Sequence, residues 1–287
     1  MVQLLESDIR SKEVLDWRGV HLFHAMGSSC SQKVRIFLNL KQIDWTSHLI
    51  DLPAKENMSD FYLGVNPRGL VPTLVHNGQV HIESNDILLY LEQAFPEPSL
   101  IPVGSRAQVA SLLHHEDELH MDLRRLTFRF MLPLKESPKS NEDLDSFERR
   151  TPGKVHGEAD AAIQHEIDFW RKFGQVGVPD DEARASVQVF FDEFSQLNET
   201  LSRQDYLLVE ELTLLDVAWF VYVNRLQWCG YPVTRLHPAL GRWKAALEAK
   251  PEFASEIQLP PAMAQAINAK QAEEASRHQD LVSIGGL

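Results

Sequence analysis

Asn77-Gly78 stands between two short runs of alternating character, Thr73-Leu74-Val75-His76 and Gln79-Val80-His81-Ile82. A two-residue turn between right-twisted strands needs positive φ at both central positions, which Asn and Gly tolerate, so the pair predicts a tight antiparallel hairpin. The segment upstream predicts the opposite kind of pairing. His21-Leu22-Phe23-His24 alternates as a strand, and Gly27-Ser28-Ser29-Cys30-Ser31 is a cluster of small residues and helix caps. Apolar residues at 34, 36, 37, 38 and 40 then carry a mostly buried helix of about ten residues. A second alternating run, residues 45–52, follows at the spacing of a right-handed crossover between parallel strands. The hairpin is followed by Glu83-Ser84-Asn85, which caps a helix with an apolar face at Ile87, Leu88 and Leu91 that ends before Pro96 and Pro98. The chain therefore reads β-α-β, a loop helix, then β-β-α: one mixed sheet.

Past Pro102 the texture changes to long helical stretches without strand signals. They are punctuated by Pro133, by the polar run 136–143 and by Pro152-Gly153. Thr213-Leu214-Leu215-Asp216 before Val217-Ala218-Trp219-Phe220 is a cap with an acid three residues on, opening a strongly apolar helix. That helix is expected to be the core of the second half. The tail beyond Pro260 is expected to form a final helix and a loose end. Three segments follow: an N-terminal extension over 1–19, an α/β domain over 20–103, and an all-helical domain over 104–287 with an enlarged helical region and a tail.

The net charge of −13 opposes nucleic acid and anionic lipid, whose binding rests on Lys and Arg neutralising phosphates. Two cysteines, Cys30 and Cys229, make no disulfide framework and point to a reducing compartment. Residues 1–16 mix charges with Leu and Val, which argues against a signal peptide, and no run of about twenty apolar residues reads as a membrane span. A cytoplasmic protein without membrane or nucleic-acid partners is expected.

A β-α-β-β-α unit with a cysteine at the first helix start and a proline before the third strand is thioredoxin-like in outline. Cys30-Ser31-Gln32-Lys33 lacks the second cysteine of a redox pair, so thiol chemistry here must borrow a thiol, and glutathione is the obvious donor. The resemblance then becomes specific. Ser28-Ser29-Cys30-Ser31-Gln32-Lys33-Val34-Arg35-Ile36 resembles the active-site helix start of zeta-type glutathione transferases, which include maleylacetoacetate isomerases. It is also similar to the reductive dehalogenases of chlorinated hydroquinones, such as the tetrachlorohydroquinone enzyme. Asn66-Pro67-Arg68-Gly69-Leu70-Val71-Pro72-Thr73-Leu74 and Glu83-Ser84 are the other two landmarks, in order and spacing. The resemblance is close over residues 20–102 and reaches the helical half only at the Thr213 to Asp216 cap. It implies the glutathione-transferase fold, an α/β thioredoxin-like domain followed by an all-α one, and a homodimer.

The resemblance also implies the site. Pro72 is expected in cis, with the Val71 backbone facing a peptide ligand along the strand edge. Ser84 at a helix start can hold the γ-glutamyl carboxylate of glutathione, and Glu83 can meet its ammonium. Lys55 and Asn57 lie in the loop that grips the glycine end. Two residues compete for the chemistry. The Ser28 hydroxyl can donate to the glutathione thiolate, since lowering a thiol pKa from roughly 8.5 by two units needs only about 2.7 kcal/mol. Cys30 can instead ionise at the helix terminus and exchange thiols with glutathione.

Other features read as structure. In His115-Glu116-Asp117-Glu118-Leu119-His120 the histidines are five apart and cannot share one helical face as metal ligands, so no metal is expected. Arg124, Arg125 and Arg129 either face an acidic substrate or pair with nearby acids. Phe128, Phe130, Trp219, Phe220 and Trp228 are expected in the core. Residues 134–185 add helical sequence absent from the shorter zeta-type proteins, and Gln32 and Lys33 depart from their motif. Longer bacterial relatives cleave aryl ethers or dechlorinate aromatics with glutathione, and the enlarged half suits a bulky, covered pocket. The expectation is a glutathione transferase acting on a small hydrophobic, aromatic or unsaturated electrophile in detoxification or aromatic catabolism. The alternatives are reductive chemistry through Cys30 and a scaffold of the same shape without turnover.

Overall fold

The computed structural model describes residues 2–134, 136–151 and 154–287, so the Pro152-Gly153 punctuation lies outside the described residues. In chain order the strands are β1 (Val2–Gln3), β2 (Val20–His24), β3 (Thr46–Leu49), β4 (Thr73–His76) and β5 (Gln79–Ile82). The helices among and after them are α1 (Ser29–Leu40), α2 (Asp60–Val65), α3 (Ser84–Ala94), α4 (Arg106–Glu118) and α5 (His120–Leu126). A pair of helices, α6 (Asn141–Arg150) and α7 (Ala161–Val176), flanks a small hairpin of β6 (Lys154–Val155) and β7 (Glu158–Ala159). The chain closes with α8 (Asp180–Leu201), α9 (Leu214–Trp228), α10 (Val233–Leu236), α11 (Pro238–Glu248), α12 (Pro251–Ala254), α13 (Pro261–Ser276) and α14 (Leu281–Gly285). Among the described residues no helix is long and apolar enough to cross a membrane.

Two compact units emerge: Met1–Glu97 with Glu136–Gly177, and Pro98–Lys135 with Val178–Leu287. The first is built on a mixed sheet in the order β1-β5-β4-β2-β3. β2 and β3 are parallel, as the crossover spacing predicts, while β4 is antiparallel to both β2 and β5. The Asn77-Gly78 turn has φ of 51° and 81°, the two positive values the hairpin demands. The Gly19 amide donates to Asn77 Oδ1 at 2.9 Å, fastening the entry of β2 to that turn.

Two differences from the sequence reading stand out. Residues 1–19 are not a polar appendage: Val2–Gln3 adds an antiparallel edge strand to β5, and Leu4, Ile9 and Val14 are buried in the core of the α/β layer. Their apolar residues are spaced too irregularly to announce a helix or a strand. Residues 136–177, grouped with the helical half by sequence, belong to the first unit. Phe147, Ile163 and Ile167 close over Met58 and Leu63 in a satellite core, and burying one such side chain contributes about 1.5–3 kcal/mol. The His156 amide donates to Asp8 Oδ2 at 3.0 Å, tying the β6–β7 turn to the N-terminal extension.

In the second unit α9 is the core helix, buried from Leu214 to Leu226. Asp216 is fully enclosed and accepts from the Thr213 amide and hydroxyl, the Leu207 amide and the Trp243 indole, at 2.8 to 3.0 Å. Burial raises its carboxyl pKa, and those four donors oppose the shift. The end of the chain is not loose. Leu281 and Ile284 of α14 are buried against α8, where a Cβ on Gly285 would come within 2.5 Å of Val187 Cγ1.

A Cβ at Gly78 would meet the Leu15 carbonyl oxygen at 2.1 Å, in addition to the strain of its positive φ. Gly78→Ala is therefore expected to cost roughly 2–4 kcal/mol. Gly157→Ala, with φ of 78° but open space around it, should cost about 1 kcal/mol. Urea midpoints of the two variants check the ranking, and equal shifts contradict the collision.

Candidate active site

Register brings the site together. Phe23 of β2 pairs with Thr73 of β4, and Thr73 pairs with Ile82 of β5, so three strands share one row at one end of the sheet. Ser28 follows the end of β2, Val71-Pro72 immediately precede β4, and Glu83-Ser84 immediately follow β5. β3 runs out at the same end, where Leu49 pairs with His24, and Lys55 comes six residues later. Residues distant in sequence are thus neighbours because strands lie about 4.8 Å apart.

Ser28 is the N-cap of α1: its Oγ accepts the Ser31 amide at 3.2 Å. A hydroxyl that accepts through a lone pair keeps its own O–H to donate, so capping the helix and holding a thiolate are compatible tasks. Cys30 lies in the first turn of α1, partly exposed, where helix amides favour negative charge. Cys229 differs: it is buried, and burial pushes its thiol up to about 12 against the pull of Arg225.

The loop entering α1 is pinned from below by a buried cation. Arg35 donates to the carbonyls of Ala25 at 3.1 Å and Met26 at 3.2 Å, and to His24 Nδ1 at 3.1 Å. With Nδ1 accepting, His24 carries its proton on Nε2 and donates it to Ser47 Oγ at 2.7 Å. Burial first, then Arg35 and His48, push the His24 pKa down to about 4, so the ring is neutral as the network requires.

The strand edge is held as firmly. The Val71–Pro72 peptide is cis. Tyr62 OH donates to the Leu70 carbonyl at 2.6 Å, and Asn66 Nδ2 reaches the same carbonyl and Thr73 Oγ1 at 3.0 and 2.9 Å. Asn57 Nδ2 donates to the Gly69 carbonyl at 2.7 Å. The ladder between β2 and β4 begins at Thr73, so Val71 lies beyond it.

Glu83 caps α3 with φ of 66° and ψ of 118°, a conformation costing a non-glycine residue about 1–3 kcal/mol and found chiefly at functional positions. Ser84 is the first residue of α3 and is buried. Neither Glu83 nor Lys55 stands alone. Arg68 reaches Glu83 Oε1 through NH1 at 2.5 Å, and grips Asp160 through Nε at 2.6 Å and NH2 at 3.2 Å. Lys55 Nζ lies 2.5 Å from Asp143 Oδ2. Burial opposes ionisation of Asp143, but Lys55 and the Ser140 hydroxyl and amide outweigh it and hold the carboxyl below the ordinary range.

Sequence reasoning missed Arg68 as a partner of Glu83, and missed Asp143 and Asp160 altogether. Arg68 stood inside a recognised motif, but its acids lie far along the chain and no local spacing joins them. Among the second-unit candidates, Arg125 pairs with Asp122 at 2.8 Å, and Arg129 pairs with Glu274 at 3.2 Å and Asp180 at 3.3 Å. His115 turns to Glu193 and His120 to the Tyr222 hydroxyl. Phe130, Trp219 and Phe220 are core residues, while Phe128 and Trp228 are half-buried.

Residues 22–99 match the family model for the glutathione S-transferase N-terminal domain. Glutathione S-transferase 1 of Dianthus caryophyllus is 44% identical over 75 residues, 26% of this chain and 34% of that one. A zeta-class glutathione S-transferase of Euphorbia esula is 41% identical over 81 residues, 28% of this chain and 36% of its own. These matches span only about a third of the relatives' length. Protein LigF of Sphingobium sp. is 28% identical over 225 residues, 74% of this chain and 82% of LigF. The crystal structure of LigF, a beta-etherase, superposes with a TM-score of 0.69 at 27% identity, covering 83% of this chain and 98% of that one. Further fold neighbours were solved with glutathione bound. The architecture is that of the glutathione-transferase fold.

The histidine under the α1 loop sets a pH response. His24 titrates near 6.5 when unfolded and near 4 when folded, as does His81, which burial first and then His76 push down to about 4. The folded state therefore binds fewer protons than the unfolded one in that window, and stability present above pH 6.5 is lost as pH falls toward 4. Urea midpoints measured from pH 7 to 4 should decline, and His24→Gln should flatten part of the slope. An unchanged slope in that variant contradicts the neutral assignment.

Proposed function

We propose that this chain, whose first domain belongs to the glutathione S-transferase N-terminal family, is a transferase that directs the glutathione thiolate at an aryl ether or a similarly activated aromatic electrophile. The observation that supports the reading is Ser28, an N-cap whose hydroxyl keeps a proton to donate, at the end of the sheet where Val71-Pro72 lead into β4 and Glu83-Ser84 follow β5. The residues present fit glutathione. Ser84 and the first amides of α3 suit the γ-glutamyl carboxylate, Glu83 the ammonium beside it, Val71 the peptide backbone, and Lys55 the glycine carboxylate.

Bound there, glutathione would supply a sulfur nucleophile for the saturated carbon that carries the aryloxy group: a C–S bond would form at that carbon as its own C–O bond breaks, and the phenolate would leave with the O–aryl bond intact and take a proton from water. Ser28 keeps the sulfur ionised by donating to it, and the first turn of α1 adds its dipole. The Arg35 bonds to the Ala25 and Met26 carbonyls keep Ser28 from drifting, which matters because a misplacement of 1 Å can cost about a hundredfold in rate.

Aryl-ether cleavage is favoured over isomerisation by the extent of the likenesses. The zeta-class match spans 28% of this chain and 36% of its relative, whereas the LigF match spans 74% of this chain and 82% of LigF. A second reading rests on Cys30, partly exposed in the first turn of α1: reductive thiol exchange through a mixed disulfide with glutathione. The variants separate them. With glutathione and β-aryl ether, chloroaromatic and maleyl substrates, Ser28→Ala should lose roughly 2–3 kcal/mol of transition-state stabilisation, about 30- to 150-fold in kcat/KM, while Cys30→Ser keeps most of its activity. Loss of turnover in Cys30→Ser, with a glutathione adduct on Cys30 of the unaltered protein, would establish the second reading instead.

A further inference from the structure

We infer that Asp143 of α6 is an internal competitor for the carboxylate-binding lysine of the site, occupying Lys55 until a ligand carboxylate replaces it. The inference rests on the glutathione reading, because it takes Lys55 as the seat of the glycine carboxylate.

The geometry is that of a substitute ligand. Asp143 Oδ2 lies 2.5 Å from Lys55 Nζ, a charge-assisted contact of the kind a peptide C-terminus would make. Both side chains are open to solvent, 39% exposed for Lys55 and 22% for Asp143, so an incoming anion can reach them. They line a cavity of about 310 Å³ together with Met58, Ser59, Glu142, Ser146, Arg149 and Arg150, where the two arginines outnumber the added carboxylate of Glu142.

What delivers Asp143 is apolar. Phe147 follows it by four residues on the same face of α6 and is buried among Met58, Leu63, Ile163 and Ile167. A Cβ on Gly69 would come within 3.3 Å of the Phe147 ring, so the helix is seated directly on the loop that leads to Val71-Pro72. α6 is consequently fixed whether or not Lys55 is engaged, and the exchange needs only side-chain rotation. Asp143 also remains occupied after losing the lysine. The same Oδ2 accepts the Ser140 hydroxyl at 2.7 Å and the Ser140 amide at 2.8 Å, the latter one half of a capping box that the Asp143 amide completes on Ser140 Oγ at 3.2 Å.

A second acid of the same segment, Asp160, acts on the opposite end of the site through Arg68 and Glu83, but there the arginine bridges two carboxylates and no ligand group is displaced. Competition belongs to the Lys55 end. It raises the glutathione concentration needed to fill the site and makes the gain specific to ligands with a free terminal carboxylate.

Calorimetric titration of the full chain with glutathione and with its glycine-amidated analogue tests this. Asp143→Asn keeps an oxygen for the Ser140 amide and should bind glutathione about three- to tenfold more tightly, with no gain for the amidated analogue. Lys55→Met should weaken glutathione and erase the gain when combined with Asp143→Asn. Unaltered or weaker glutathione binding by a folded Asp143→Asn, or an equal gain for the analogue, overturns the competition while leaving the glutathione site standing. If neither the unaltered protein nor any variant binds glutathione, the underlying reading falls and the competition with it. Matching thermal midpoints establish that the variants are folded.

Discussion

A single row of backbone pairing, Phe23 to Thr73 to Ile82, underlies everything the first unit does. Thr73 begins β4, Ile82 ends β5 and Phe23 is the last residue but one of β2, and beyond each lies a segment that does not continue the ladder: an X-Pro step, a helix start in positive φ and a helix cap. Because side chains alternate along a strand, a slip of one residue in any of the three would swap side chains between two packed faces and shift one loop relative to the others. The apolar cost of that slip, borne by Leu22, Phe23, Leu74, Val75, Val80 and Ile82, keeps the polar residues of the loops in register. Site geometry is here a by-product of core packing.

Around that row sits a shell of side chain to backbone bonds from Arg35, Tyr62, Asn57 and Asn66. Their donors are buried and their acceptors are carbonyls of loops with no ladder partner. A buried carbonyl left without a donor costs about 1–3 kcal/mol, so each bond both satisfies the loop and fixes it. A fully buried guanidinium is tolerable on the same terms, since three acceptors meet it.

Most of this unit could be read before any coordinates. The Asn77-Gly78 turn, the Ser28 cap, the proline before β4 and the Glu83-Ser84 helix start are local signals, in which the residue type and its conformation are linked within three or four positions. The Thr213 to Asp216 cap was legible for the same reason. What escaped was non-local. Val2–Gln3 is too short to signal a strand and becomes one only because β5 has an open edge. The polar run at 136–143 resembles a linker in composition, yet it opens α6, whose Leu144 and Phe147 are buried. Whether such a helix covers one unit or another depends on which partner offers an apolar seat, and Met58 and Leu63 look like ordinary core residues in sequence. The pairings Lys55 with Asp143 and Arg68 with Asp160 join positions about ninety residues apart, beyond the reach of any pattern argument.

The first unit is assembled from two stretches of chain, Met1–Glu97 and Glu136–Gly177. On a ribosome the sheet is complete long before its cover exists: at about 5–20 residues per second, roughly 4–16 s separate the emergence of residue 97 from that of residue 177. During that interval Met58 and Leu63 face water without Phe147, Ile163 and Ile167, and Arg68 lacks Asp160. The nascent chain thus passes through a stage with an uncovered apolar spot beside Arg68, held by Glu83 alone, a surface that suits transient shielding by a chaperone until synthesis has moved past residue 177.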